Sequence, residues 1–388
     1  MSIKKTKILF RIRSMETGGV QKVLLNILNN LNREKFQITL LLNLYQGKLL
    51  RDIPKDIQVH YIGRGKEFMS SFLPVQKMQL VLRWFKLKFY NKYPSLLYKK
   101  QGLYDQDVEI AFFHYNYDEV LNSPNKESMK IGWMHGDIKN ITILGDKKEF
   151  VSRFLEFDKM IYVSYQTLAS AESFNPGVIN NAKVIYNPIE VEEIIAKSLE
   201  KGEIEISSSK KDNITSFISI GRVNPGKGYQ LLLEVHKKLI DNGLFHKIYV
   251  IGEGYLRPEL EKRIKEYKVE NTFIFLGEYE NPYPYVKQSD YFVLPSFSEA
   301  YPLVIAESLI LEKPIITTDV GGISEMMIDG ENGIFVQSKD EQGLYNAMKF
   351  LLENEENAKK FMENNKKCKN YFNPDKIYRE IEIILSKK

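Results

Sequence analysis

ITSFISIGRVNPGKG, residues 214–228, decides how this chain folds. A short β-rich run, ITSFISIG (214–221), ends on a glycine. The chain then crosses a Gly/Pro loop that carries Arg222 and Lys227 and passes into a helical segment. The same grammar repeats toward the C-terminus in HKIYVIG (246–252), NTFIFLG (271–277), DYFVLP (290–295), PIITTD (314–319) and NGIFVQ (332–337). Short apolar runs alternating with helical segments predict a mostly parallel sheet with helices on both faces.

Toward the N-terminus a second series appears: KILFRI (7–12), FQITLLLNL (36–44), VEIAFF (108–113), MIYVS (160–164) and AKVIYNP (182–188). After KILFRI, Thr17-Gly18-Gly19 turns into VQKVLLNILNNL, where Val20, Val23, Leu24, Ile27, Leu28 and Leu31 follow helical spacing. The chain therefore reads as two Rossmann-like domains in tandem. EIEISSSKKDN (203–213) is the most polar stretch between them and marks the end of a linker region. The expected division is 1–190 for the N-terminal domain, 191–213 for the linker region, 214–372 for the C-terminal domain and 373–388 for a closing helix. Asn373-Pro374 supplies that helix with a capping residue and a first-turn proline.

Composition agrees and excludes several classes. A chain of 388 residues is too long for one ordinary core. Hydrophobic residues make up 43% and charged residues 27%, as in globular proteins. Lys and Arg total 55 against 50 for Asp and Glu, and +5 is too mild a balance for a nucleic-acid binder. The single cysteine, Cys368, permits no intramolecular disulfide and suggests no cysteine-based zinc site. A reducing, cytoplasmic setting is expected. Basic residues interrupt MSIKKTKILFRIR at once, so no signal-peptide core is expected there. No run approaches the roughly 18 apolar residues of a spanning helix, which leaves binding at a membrane surface open.

In open parallel sheets, ligands sit beyond the carboxyl ends of the strands. Four motifs fall at such places: Gly18-Gly19, the loop 221–228, Gly252-Glu253-Gly254, and SEAYPLVIAE (298–307). Arg222 offers a planar fork to phosphate oxygens and Lys227 a point charge. The loop lacks the Walker spacing, and by itself it also reads as a surface loop with two solvated cations. In SEAYPLVIAE, Pro302 suits the first turn of a helix, which puts Glu299 in the preceding loop and Glu307 inside the helix. Free N–H groups at that helix start favour an anion between two carboxylates that accept hydrogen bonds from hydroxyls. The plainer alternative is a helix cap and a solvated glutamate. DVGGISE (319–325) adds a further glycine turn, with Glu325 read first as a cap. In IGWMHGD (131–137), His135 follows a strand-like run, and structural and functional roles both stay open for it. The histidines, at 60, 114, 135, 236 and 246, show no metal spacing, and no Gly-x-Ser-x-Gly elbow or Cys–His case appears.

In their order, GRVNPGKG, IGEG, FLG, LPSFSEAYPLVIAE, TTDVGGISE and NGIFV resemble the family 4 glycosyltransferases of GT-B fold, with the N-terminal GGV and the histidine of WMHGD adding to the likeness. The resemblance spans nearly the whole chain and is most specific in its C-terminal half. It implies an α/β GT-B protein, two Rossmann-like domains facing across a cleft, with the C-terminal helix returning to the N-terminal domain. It further implies that Arg222 and Lys227 bind the donor diphosphate and that Glu307 holds the ribose hydroxyls. Glu299 would hold hydroxyls of the transferred sugar, and backbone N–H groups near Leu303 would meet the phosphate. Gly18, Gly19, Gly252 and Gly254 would line the donor, and His135 would reach the transferred sugar or the acceptor. The implied chemistry is transfer with retention, the donor β-phosphate acting as base.

No metal is expected: the only Asp-x-Asp match, Asp105-Gln106-Asp107, precedes a strand, and the two cations take the metal's electrostatic place. No cofactor is expected beyond the nucleotide sugar as substrate, UDP-linked by default, with a GDP-mannose-dependent mannosyltransferase as the alternative. The acceptor would be lipid-linked or saccharide, in bacterial surface polysaccharide or glycoconjugate synthesis. A non-catalytic GT-B partner of a transferase, an epimerase and a phosphorylase compete with this reading. Finally, 76–101 is a candidate contact with an anionic membrane surface, which would make the protein peripheral on the inner face of the plasma membrane. From Phe68 to Tyr104 there are seven cations and no acidic residue, although the apolar residues do not fall on one clean face.

Overall fold

The computed structural model describes residues 4–141, 145–208, 211 and 213–386. The chain divides into two compact units. Unit 1 comprises residues 1–188 with 374–388, and unit 2 comprises 189–373.

Among the described residues, unit 1 is built on seven strands: β1 Thr6–Ile12, β2 Phe36–Tyr45, β3 Gln58–Arg64, β4 Val108–Ala111, β5 Met129–Met134, β6 Lys159–Tyr162 and β7 Ala182–Val184. Their order is β3-β2-β1-β4-β5-β6-β7, and every pairing is parallel. Ile8, Leu9, Phe10, Leu40, Leu41 and Leu42 are buried, as expected of strands covered on both faces. Glu109 breaks the rule in the middle of β4 yet is wholly buried. It accepts hydrogen bonds from Tyr98 (3.0 Å), Ser123 (2.9 Å) and Asn125 (2.6 Å) and pairs with the Lys130 ammonium (3.0 Å). A buried carboxylate is tolerable only when so paired and bonded.

Sequence periodicity passes over β3. It lies at the sheet edge and pairs with β2 alone, so QVHYIGR carries no continuous apolar run. The helix Pro374–Leu385 belongs to unit 1, burying Tyr378, Ile381 and Leu385. The backbone N–H of Asn32 donates to Glu382 (3.0 Å), and Lys35 pairs with the same carboxylate (2.8 Å).

Unit 2 carries β8 Ser216–Ile220, β9 Lys247–Ile251, β10 Phe273–Gly277, β11 Tyr291–Leu294, β12 Ile315–Thr318 and β13 Gly333–Val336. The order is β10-β9-β8-β11-β12-β13, again parallel. Its core joins Phe217, Ile248, Val250 and Val293 to Leu232, Leu233, Val235 and Leu239 of the helix Tyr229–Asp241. Residues 191–213, expected to link the domains, are instead part of this unit. Val191–Ser198 is a helix that packs on the helices Tyr283–Gln288 and Leu303–Ile310. Ile206, Ser207 and Ser208 are buried, and the Ser207 N–H donates to the Tyr249 hydroxyl (3.0 Å). Within this polar stretch Ser207 and Ser208 are thus held by the unit, whereas Glu203, Glu205, Lys211 and Asn213 are exposed. Ser209, Lys210 and Asp212 lie outside the described residues.

A chain of buried hydrogen bonds ties this unit together. His246 Nδ1 donates to the Leu244 carbonyl (2.8 Å), which leaves its Nε2 to accept from His236 Nδ1 (2.9 Å). His236 Nε2 then faces the Thr272 hydroxyl (2.9 Å). A proton added to His246 Nε2 would set two N–H groups against each other. Burial, reinforced for His236 by His246, pushes His236 down to about 2, and burial pushes His246 down to about 4. Both would titrate near 6.5 in the unfolded chain, so the unfolded state binds more protons below that pH. The stability contributed is present above about pH 6.5 and lost as pH falls. Thermal melts should therefore show a falling Tm between pH 7 and pH 5. His236→Gln should flatten that slope, and an unchanged slope would remove the pair from the pH response.

Candidate functional site

The order of unit 2 reverses between β8 and β11, the topological switch point at which open parallel sheets bind ligands. The loops leaving these two strands are 221–228 and 295–302, and they interlock. The Phe297 N–H donates to the Gly226 carbonyl (2.7 Å). Gly228 has φ +71°, and a Cβ there would stand 2.0 Å from the Pro295 carbonyl oxygen. Gly321, after β12, has φ +59° and presses as closely on the Glu299 carbonyl, 2.3 Å from a notional Cβ. Only glycine satisfies both demands at these two positions. Gly252 and Gly254, after β9, pack their backbones on Gly221 and Val223.

This interlock brings two predicted residues together. Lys227 Nζ lies 2.5 Å from Glu299 Oε1, with side chains 21% and 10% exposed. Ser296 Oγ donates to the same oxygen (2.6 Å), and Oε2 has no partner among the described residues. Arg222 differs: its side chain is exposed and pairs with no described carboxylate. The loop thus presents one cation already balanced and one whose charge is uncompensated.

Pro302, expected inside the helix, instead stands at its N-cap with ψ 112°, and Leu303 is the first helical residue. No side chain caps this helix start. Glu307 lies one turn further in, 6% exposed, and accepts a hydrogen bond from the Tyr283 hydroxyl (3.1 Å). Burial and the neighbouring carboxylate push the Tyr283 phenol well above its ordinary range. Glu307 is therefore held, not solvated, with Oε2 unpartnered among the described residues. Tyr283 escaped sequence reading. Its only signal is the aromatic–proline cluster NPYPY after FLG.

Unit 1 has its own switch point, between β1 and β4. Gly18, with extended φ of 177°, precedes the helix Gly19–Asn30, and a Cβ at Gly19 would meet nothing within 4 Å. No packing in the unit demands glycine there. His135 directly follows β5, its ring 4.8 Å from Phe112 and 5.9 Å from Trp133. Its Nε2 is buried and unpartnered among the described residues. Burial, with His114 adding to it, pushes it down to about 3.

His114 itself, after β4, carries no signal in the sequence beyond its place among five histidines without metal spacing. It is 8% exposed, burial pushes it down to about 4, and both ring nitrogens lack partners among the described residues. Trp133 Nε1 and the Tyr162 hydroxyl are likewise buried and unpartnered. Each such group costs about 1–3 kcal/mol unless something bonds to it. Gathered at the carboxyl ends of β4, β5 and β6, these groups suit a ligand with several hydroxyls. Two neutral imidazoles each offer one donor and one acceptor, which fits hydroxyls better than anions.

Comparison with known proteins agrees with both units. Residues 200–368 match the family described as Glycosyl transferases group 1. The chain is 26% identical to the N-acetylgalactosamine-N,N'-diacetylbacillosaminyl-diphospho-undecaprenol 4-alpha-N-acetylgalactosaminyltransferase of Campylobacter jejuni, over 95% of this chain and 96% of that one. It is 24% identical to the capsular polysaccharide biosynthesis glycosyltransferase CapM of Staphylococcus aureus, over 70% of this chain and 78% of the relative. HepE of Anabaena, solved with UDP and glucose, shares the fold with a TM-score of 0.76 at 17% identity, over 98% of this chain and 99% of that one. A glycosyltransferase from Rickettsia africae does so with a TM-score of 0.72 at 18% identity, over 99% and 98% of the two chains. Residues 200–368, most of the second unit, thus belong with the group 1 glycosyl transferases, and the two parallel-sheet units have the GT-B fold of these neighbours.

Proposed function

We propose that this protein is a retaining, metal-independent hexosyltransferase. It takes a sugar from a nucleoside diphosphate donor, UDP-linked by preference, and places it on a lipid-linked saccharide during synthesis of a bacterial surface glycan. The observation that carries this reading is the convergence at the unit 2 switch point of unpaired Arg222, the Lys227–Glu299 pair, the uncapped helix start at Leu303 and buried Glu307. Two relatives support the finer parts by what they are named for. The C. jejuni enzyme acts on a diphospho-undecaprenol saccharide, and HepE was solved with UDP.

In this reading Arg222 and the helix start take the diphosphate, and Lys227 follows the β-phosphate as negative charge develops on it. Glu307, oriented by Tyr283, accepts from the ribose hydroxyls. Glu299, oriented by Lys227 and Ser296, accepts from the sugar through Oε2. The acceptor hydroxyl attacks the anomeric carbon on the face that the diphosphate leaves. The carbon–oxygen bond to the β-phosphate breaks as the new glycosidic bond forms, and the hydroxyl proton passes to a β-phosphate oxygen. Within unit 1, Gly18 and Gly19 leave backbone room for a ligand, and His135 and His114 offer neutral donors and acceptors suited to sugar hydroxyls. Both histidines stay neutral above about pH 5, so neither should shape the pH–rate profile near neutrality.

Incubation with a panel of nucleotide sugars and an undecaprenyl-diphosphate saccharide, followed by NMR of the product linkage, tests the whole reading. Release of UDP with an α-linked product from an α-linked donor is expected, and it should persist in EDTA. An inverted product, or activity that EDTA abolishes and divalent metal restores, would overturn the mechanism.

The two cations should separate in mutagenesis. Arg222→Ala should lower kcat about 10²–10³-fold with an unchanged Tm. Lys227→Ala should lower kcat comparably and also lower Tm, because it strands the nearly buried Glu299 carboxylate. Lys227→Met combined with Glu299→Gln should regain the Tm and not the activity. If Lys227→Ala melts like wild type, the ion pair does not hold the loops.

Glu307→Gln should raise the donor KM more than it lowers kcat, since ribose contacts are similar in ground and transition states. Glu299→Gln should act mainly on kcat. Steady-state kinetics showing the opposite split would exchange the two roles.

A further inference from the structure

The helix Leu73–Lys92 has no buried residue along its length and carries two opposed apolar stripes. One faces unit 1, where Leu87 and Tyr90 pack on a cluster that includes Leu41, Ile62 and Leu97. Arg83 lies on this inner side, its stem over Gly63 and its guanidinium donating to the Arg64 carbonyl (3.2 Å). The other stripe is Met78, Val81, Leu82, Phe85 and Phe89. At about 100° per residue these five fall within roughly 100° of arc. Each is 46–60% exposed. Lys77 and Lys88 flank this row on one side and Lys86 on the other, and the Lys88 ammonium sits over the Trp84 ring at 4.1 Å. Sequence reading saw apolar residues on no clean face because two faces are superimposed in one segment.

We infer that this outer stripe is an interfacial helix that docks the protein on an anionic lipid bilayer. A contiguous exposed apolar row of this kind marks an interaction site. Its charge selects the occupant. Lys77, Lys86 and Lys88 along the row, in a span from Phe68 to Tyr104 that holds no acidic residue, match an anionic surface. A second copy docked face to face would oppose like lysine rows with no carboxylate in the span to relieve them. Aromatic residues within the row and lysines on its flanks are the arrangement of helices lying in the membrane plane. The inference shares its setting with the lipid-linked acceptor proposed above, but docking needs neither donor nor turnover, so the two readings fail separately.

Flotation of the full chain with phosphatidylglycerol-containing vesicles, against pure phosphatidylcholine, tests it. Wild type should float only with the anionic vesicles and be released by high salt. At about 1 kcal/mol per cation near the surface, Lys86→Gln with Lys88→Gln should weaken partitioning about thirtyfold. Leu82→Gln with Phe85→Gln should abolish flotation while leaving Tm unchanged, since both side chains point away from unit 1. Arg83→Gln should leave lipid selectivity unaltered. If wild type stays at the bottom with anionic vesicles at low salt, the inference is overturned. It is equally overturned if light scattering shows a dimer that Leu82→Gln with Phe85→Gln converts to monomer while no form floats. A protein that floats but releases no nucleoside diphosphate would retain the membrane face and lose the transferase reading.

Discussion

The pairing of β8 with β11 is the constraint on which the site depends. Tyr291 aligns with Phe217 and Phe292 with Ile218, across more than seventy residues of sequence. Parallel pairing places both carboxyl ends on one edge, and the reversal of strand order leaves a crevice there. The two loops are then forced close enough that Gly228 meets the Pro295 carbonyl and the Lys227 ammonium meets the Glu299 carboxylate. Neither the ion pair nor the helix start at Leu303 is held by local sequence. Each is a by-product of sheet register.

That origin explains why the Lys227–Glu299 pair can serve two ends. A short ion pair between residues seventy-two apart closes the loop interface, and it also fixes one carboxylate oxygen so that the other projects freely. Removing either partner should therefore act on stability and chemistry together. Arg222 has no such second duty. Unit 1 follows a different principle: His114, Trp133 and Tyr162 carry buried polar atoms left unbonded among the described residues, a local cost that bound hydroxyls would relieve.

Much of the fold was legible because buried parallel strands are written as continuous apolar runs. Eleven of the thirteen strands among the described residues coincide with such runs, β5 appeared only as a strand-like lead-in to His135, and β3 was missed because an edge strand needs only one well-buried neighbour. The candidate site was legible where residue type and strand end coincide, as at Arg222, Lys227, Glu299 and Glu307. What stayed hidden was partnership. Nothing in one sequence shows that Lys227 faces Glu299, that Tyr283 reaches Glu307, or that Ile206 anchors a stretch that reads as a linker. The inward turn of Arg83 was equally invisible, since helical phase is fixed only by the face that packs.

The helix Pro374–Leu385 gives the chain a particular order of assembly. Unit 1 is interrupted by all of unit 2, and the helix that completes it, with Glu382 bonded to Asn32 and paired with Lys35, emerges from the ribosome only after the whole of unit 2. During synthesis the first sheet must wait, with the surface later covered by Tyr378, Ile381 and Leu385 bare, while some 185 residues of the second unit are made and fold. Completion of the earliest sequence is thereby a report that translation has run through both units, and a chain stalled inside unit 2 would expose that uncovered patch to the cell's quality control.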